Sequence, residues 1–336
     1  MFNISKGIIK SAFGAAVIVL AAAGPGMAQT KHMLSLTVGY DGFSMTTIPM
    51  QYALAKGYFK DEGVKVDDRF VAGGSVLTQA VIGGSVELAQ NGYSSAIAAA
   101  VAGAHIKIIA GISNILPFVI VGQHDIKTFK DLKGKTIAVS KLGSSTDASA
   151  RMAMAHFGMK PTDITILQLG GEGSRTAAFK SGQVAANVLQ YPLAQDLIDD
   201  GANLLVKMTD LTKDYPNTAY VTTEAFLKKP NSQEAIARYF RGLARGMRGM
   251  REHPAEAAAI AAKFLKQKQT PNFNKAVEYY SNDVYSKDLQ PTLPGIQVVL
   301  NRLSKKIPAA KTAKPSNLVD TTIVDKLKKE GAFKND

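Results

Sequence analysis

The chain has 336 residues, 46% of them hydrophobic, with no cysteine and a formal charge of +13. That length allows one to three domains with a buried core; the absence of cysteine excludes disulfides and a cysteine-acylated lipid anchor. The positive balance favours small acidic ligands or anionic surfaces. Nucleic acid is not expected, because no binding motif accompanies the charge and the aromatic residues do not interleave with a basic patch.

Lys6 and Lys10 precede an apolar run over residues 12–23, and Gly26 and Ala28 stand three and one before an expected cleavage point. Residues 1–28 therefore read as a cleavable secretory signal. The run falls short of the roughly twenty residues that span a bilayer. Residues 1–28 hold two lysines and no acid, so the remainder carries +11. Later on, residues 96–112 are apolar but interrupted by His105 and Lys107. An unanchored secreted chain of this kind is expected in a bacterial periplasm.

From residue 34 the chain states one pattern twice. Residues 34–38 are strand-like and lead through the loop 39–46 into a helical pattern, with Pro49 near its first turn and Gly57 at its end. Residues 64–71 are strand-like again, and Gly73, Gly74 and Ser75 precede a helix closed by Gly83 and Gly84. A short strand over 86–89 follows, then a helix over 96–102 for which Ser94 and Ser95 suit the N-cap role. Strands are predicted at 106–111 and 118–122, and a short helix with a glycine stop at 129–135. The second statement begins at 136–140, continues through the loop 141–147 and a helix ending at Gly158, and reaches a strand over 164–169. Gly170 and Gly171 then precede a helix closed by Ser181 and Gly182, and 185–189 is strand-like. Alternating strand and helix signals predict parallel α/β sheets in two similar lobes.

After Pro216, residues 219–223 are expected to return as a strand to the first lobe, and the rest to be mostly helical. Ile236, Tyr239, Phe240, Leu243, Met247 and Met250 recur at helical spacing as a buried face. Arg238, Arg241, Arg245, Arg248 and Arg251 fall on the other side, by default a solvated basic face. Residues 305–314, rich in Lys, Ala and Pro, read as a mobile connector before an amphipathic end at 318–327. The domain reading is a signal over 1–28, a first lobe from 29–121 with 219–336, and a second lobe over 122–218.

Catalysis has no positive sign. The five histidines, His32, His105, His124, His156 and His253, have no metal-helix spacing. No H-E-x-x-H, P-loop or nucleophile elbow is present. No metal site, cofactor or enzymatic activity is expected. Hydroxyls and glycines instead cluster at strand-to-helix turns: Ser44 to Thr47; Gly73, Gly74 and Ser75; Ser94 and Ser95; and Ser144, Ser145 and Thr146. The first N–H groups of a helix lack internal partners and carry partial positive charge, so such termini can hold an anion. Each segment could equally be a plain N-cap. Their shared placement in both lobes favours one ligand cleft. Arg175 is a candidate bidentate anion contact, with pairing to Glu172 as its alternative. Tyr40 and Tyr191 could stack on a ligand or pack in the core.

Three strings, 53–64 (ALAKGYFKDEGV), 82–89 (IGGSVELA) and 131–137 (DLKGKTI), resemble the nitrate/sulfonate/taurine (SsuA/NMT1-like) class of ABC-transporter solute-binding proteins. The likeness covers about residues 34–265. It implies a type II periplasmic-binding fold: two α/β lobes, a two-strand hinge near 118–122 and 217–221, and extra C-terminal helices. It also implies a small organic anion, sulfonate or carboxylate, held near Ser44, Gly74, Ser94, Ser145, Arg175 and Tyr191, and delivery by a monomer to an inner-membrane ABC permease. One departure is Ala185 where the family has Asp; the first lobe keeps an acid at Glu87. The class includes cytosolic enzymes making a thiamine pyrimidine precursor with a Cys-rich motif, against which the missing cysteines and the signal argue. A secreted ligand sensor is the other alternative.

Overall fold

The computed structural model describes residues 32–212 and 215–334, so the signal segment expected at 1–28 lies outside the described residues. Among the described residues ten strands are formed: β1 Leu34–Tyr40, β2 Val64–Phe70, β3 Leu88–Gly92, β4 Ile106–Ser113, β5 Val119–Gly122, β6 Thr136–Val139, β7 Thr165–Gln168, β8 Ala186–Leu189, β9 Asn203–Lys207 and β10 Thr218–Thr223. They build two five-stranded sheets, ordered β2-β1-β3-β10-β4 and β7-β6-β8-β5-β9. The duplication read in the sequence is thus a duplication of topology, with β1, β2 and β3 matched by β6, β7 and β8.

Each sheet has one antiparallel strand, and both arise where the chain crosses between sheets. β5 runs antiparallel to β8 and β9. β10 returns to the first sheet as expected, but it runs antiparallel to β3 and β4, so the sheets are mixed and not purely parallel as predicted. All other pairings are parallel. Parallel strands need crossovers that cover the sheet faces, here the helices Ile48–Ala55, Gly74–Ile82, Ser145–His156 and Glu172–Lys180.

Close approach is secured by Gly39 in β1. A side-chain carbon there would lie 2.5 Å from Leu77 Cδ1 and 2.9 Å from Val86 Cγ1, so only glycine lets the Gly74–Ile82 helix seat on the strand. Glu87 accepts the Thr37 N–H at 2.8 Å, which gives the first-sheet acid a structural role that Ala185 has no carboxylate to repeat.

The helix Ser232–Glu252 buries the apolar face predicted for it, from Ile236 to Met250. Its arginine side differs from the expected solvated face. Arg238 donates to Glu234 at 2.8 Å and to the Gly63 carbonyl at 3.0 Å. Arg241 lies 3.5 Å from Glu62, and Arg245 donates to Asp61 at 2.9 Å while covering the Tyr58 ring. The residues after Gly57 and the C-terminal helix Thr322–Lys329 flank this side, so their acids meet the arginine heads. The expected connector is also built in. It forms a short 3-10 turn, Pro308–Lys311, whose Ala310 is buried against the Leu293–Leu303 helix. Composition reads as loop there because the anchor is one small alanine among lysines. Among the described residues no helix is long and apolar enough to cross a membrane.

Candidate functional site

At the C-terminal edges of the parallel strands, the chain turns directly into helices whose first N–H groups point outward. After β1, Ser44 precedes the 3-10 turn Met45–Thr47, which runs into Ile48–Ala55. The Ser44 hydroxyl lies 3.0 Å from that of Thr46, and Thr47 Oγ1 donates to the Gly42 carbonyl at 3.1 Å. Gln90 Nε2 donates to the Thr46 carbonyl at 2.7 Å, and the Tyr285 hydroxyl to that of Met45 at 2.6 Å. This loop is held from behind by β3 and by the C-terminal helices.

Gly74 opens the next helix after Gly73, whose φ of +92° requires glycine. A side-chain carbon at Gly74 would sit 2.7 Å from Asn91 Oδ1, 2.8 Å from Ser95 Oγ and 3.1 Å from Asp41 Oδ2. Gly74 and Ser95 are therefore brought together; Ser75, one residue on, is exposed. The N-cap role expected for Ser94 and Ser95 is corrected. That helix, Tyr93–Val101, starts earlier, with Gly92 as its cap, because β3 continues to Gly92 in register with Thr218 of β10. Both serines lie in the first turn instead, and the Ser94 hydroxyl is buried with no hydrogen-bond partner.

Asp41 was not among the residues singled out from the sequence. Its sequence signal is an acid directly after a strand, unlike the hydroxyls and glycines of the neighbouring turns. Desolvation pushes its carboxyl up to about 6, opposed by the N–H groups of Asp41 and Gly92. Being raised above the unfolded value, the group favours folding below pH 4, and that contribution is lost as pH rises through about 6. Asp41→Asn is expected to flatten this part of the stability–pH curve and to raise stability at pH 7.5 by at most about 3 kcal/mol. Urea titrations between pH 4 and 8 would check it; an unchanged slope counts against the assignment.

In the second sheet the hydroxyls largely satisfy one another. Ser140 Oγ lies 3.0 Å from Ser144 Oγ and 2.9 Å from Thr146 Oγ1, and Ser144 lies 2.9 Å from Thr146. Ser144 caps the Ser145–His156 helix by accepting from the Asp147 N–H. Ser145 begins that helix, half-buried.

Arg175 is 2% exposed, and both terminal nitrogens donate to backbone carbonyls, those of Gly170 and Val188. Glu172 lies 3.9 Å away. Burial lowers the Arg175 pKa against the pull of Glu172, and burial raises the Glu172 pKa against Arg175 and the Gln190 N–H. The guanidinium thus ties the loop after β7 to β8, rather than standing out as the open anion fork expected from sequence.

Tyr40 is nearly buried in a cluster with Phe43, Phe70 and Phe264, at ring distances of 5.8–6.1 Å. The exposed aromatic surface at this edge is that of Phe43 and Phe70. Tyr191 meets Tyr279 edge-on at 6.0 Å. Both line a cavity of about 680 Å³ with Phe118, Lys207, Asp210 and Lys275. The antiparallel direction of β5 puts its start, next to Phe118, on the same edge as the ends of β8 and β9. This cavity therefore opens on the edge that carries the second-sheet loops. Its far wall, the helix Pro271–Tyr279, had no signal in the sequence beyond helical periodicity. Among the described residues no group of acids and histidines could hold a metal ion.

Two α/β sheets of equal topology, joined by two crossings and presenting helix N-termini from matching loops, define the type II periplasmic-binding-protein fold. The family model for NMT1/THI5-like proteins matches residues 44–257, and the chain belongs to that family. A solved structure from Bordetella bronchiseptica RB50 is similar, with a TM-score of 0.74 and 22% identity over 88% of this chain and 98% of that one. The periplasmic aliphatic sulphonate binding protein SsuA from Escherichia coli is similar at a TM-score of 0.69 and 23% identity, over 85% and 92%. A 4-amino-5-hydroxymethyl-2-methylpyrimidine phosphate synthase of Candida albicans (strain WO-1) is 22% identical over 258 residues, 71% of this chain and 75% of that protein.

Proposed function

We propose that the protein is a periplasmic solute receptor that closes around a small organic anion and delivers it to an ABC permease. One observation carries this reading: helix N-termini from both sheets emerge at strand ends, where open α/β sheets bind ligands, and buried hydroxyls without protein partners accompany them, as at Ser94. Unpaired N–H groups at such termini receive sulfonate or carboxylate oxygens without a salt bridge. The neighbour named as a sulphonate binding protein supports the sulfonate class. Ligand contacts from both sheets would stabilise a closed arrangement by differential affinity. The protein is expected to act as a monomer, without cofactor or chemistry of its own.

The synthase relative supports a second reading, an enzyme that makes a pyrimidine phosphate. The chain has no cysteine to build a Cys-rich motif. A thermal-shift screen of sulfonates, carboxylates, nitrate and pyrimidines on the purified protein separates the two. The receptor reading expects a raised melting temperature with an unmodified ligand recovered afterwards. Turnover of a probe with no such rise would overturn it.

A further inference from the structure

The helix Pro271–Tyr279 lies beyond the residues that the family model matches, and it serves two sides of the molecule. Phe273, Val277 and, just after it, Tyr280 recur at helical spacing and are buried in the core that holds Leu36 and Val38 of β1. Asn272, Lys275, Ala276 and Tyr279 stand three and four residues apart on another face, and all four line the cavity of about 680 Å³. The helix is thus seated on the first sheet while it walls a cavity whose other side belongs to the second.

That other side includes the helix Leu193–Asp199, whose Ala194 and Leu197 are buried against Val119 and Leu189 of the second sheet. Contacts join the two walls at both ends of the Pro271–Tyr279 helix. Near its start, Asn272 Nδ2 donates to Asp199 Oδ2 at 2.6 Å and to Asp196 Oδ1 at 3.1 Å. Two turns later Tyr279 meets Tyr191, edge-on. An amide nitrogen carries two hydrogens, so each carboxylate takes one, and a bond to an ionised acceptor is stronger than a neutral one. Gln195 Nε2 donates to the other oxygen of Asp199 at 2.8 Å and fixes its orientation. The Asn272 and Gln195 amides, with Lys275 nearby, hold the Asp199 carboxyl below its usual range, so it accepts as an anion at neutral pH.

We propose that Asn272 is a positioning residue of the cavity: its amide clasps Asp196 and Asp199 and holds the first-sheet and second-sheet walls together before a ligand arrives. The purpose of the clasp rests on the receptor reading, in which ligand contacts from both sheets stabilise a closed arrangement. Helix N-termini contribute to closure only once an anion lies between them. A contact within the chain acts without one, and a ligand that meets an arrangement already populated loses less affinity to selecting it.

The test is pulsed electron resonance between spin labels on the ligand-free protein. The chain has no cysteine, so K65C in β2 and K160C before β7 introduce labels at two exposed positions alone. The unclasped arrangement should appear as a second inter-label distance. Asn272→Ala should raise its share relative to the first by about tenfold. Asp196→Ala combined with Asp199→Ala, which removes the clasp from the other wall, should do the same. Asn272→Asp alone sets three carboxylates together and should shift the balance at least as far. Asn272→Asp combined with Asp196→Asn and Asp199→Asn exchanges donor and acceptors, and should restore the original balance. Urea curves for each variant separate a shifted balance from unfolding. Unchanged distances in both the Asn272→Ala and the paired alanine variants overturn the clasp. A shift that the exchanged variant does not reverse marks a packing defect and overturns it too. Neither outcome touches the receptor reading, which the thermal-shift screen decides separately.

Discussion

Arg175→Ala is expected to destabilise the protein by about 3–5 kcal/mol, whatever it does to binding. The side chain is buried, and its terminal nitrogens serve the Gly170 and Val188 carbonyls. Its removal strands two backbone acceptors and takes the nearest cation from Glu172, 3.9 Å away and itself raised in pKa by burial. Arg175→Lys should recover little, since an ammonium cannot reproduce a planar fork aimed at two carbonyls. Urea denaturation of the three proteins gives the measurement. Full stability with lost ligand affinity would restore Arg175 as a direct anion contact.

Gly74→Val should act on both stability and binding. Its first side-chain carbon would fall 2.7 Å from Asn91 Oδ1 and 2.8 Å from Ser95 Oγ. Asn91 cannot easily retreat: its amide donates to the Gly74 carbonyl at 3.0 Å and to Thr78 Oγ1 at 2.7 Å. Overpacking of this kind costs about 1–3 kcal/mol. The added methyls would also cover the first N–H groups of the Gly74–Ile82 helix. At tenfold per 1.4 kcal/mol, loss of one hydrogen bond to a charged ligand group corresponds to about a ten- to hundredfold weaker affinity. Calorimetry with whichever anion the thermal screen identifies, beside a denaturation curve, separates the two effects. Wild-type affinity in a destabilised variant would place the ligand elsewhere.

The repeat was legible because it is written in local chemistry. Glycines stop helices, strands are short and apolar, and both occur in the same order twice. The equal strand orders of the two sheets follow from that order and from the way parallel strands must be connected. The buried face from Ile236 to Met250 was legible for the same reason, a period of 3.6 residues. Ser94 and Ser95 misled because N-cap preference is a local rule, while the strand pairing of Gly92 with Thr218 sets where that helix begins. Arg175 misled in a similar way. An arginine after a glycine pair suits an anion, but the Gly170 carbonyl and the Val188 carbonyl of β8 already take a donor from each terminal nitrogen.

By itself the sequence determined the α/β class, the doubling of the lobe, the return of a strand after residue 216 and the apolar face of the long helix. All of these follow from propensity and periodicity within short windows. Only the tertiary structure decided which polar groups are used up and which are left over. The hydroxyls of Ser144 and Thr146 satisfy each other, the terminal nitrogens of Arg175 donate to carbonyls while its Nε has no partner, and Asp41 is enclosed beside Gly74. Asn272, which meets Asp196 and Asp199, comes from the far end of the chain, in a segment whose only sequence signal was helical. Hydrogen-bond satisfaction and desolvation depend on neighbours hundreds of residues apart along the chain; Tyr285 and Met45, for example, are separated by 240. No local pattern encodes that balance, and the contents of the cleft depend on it.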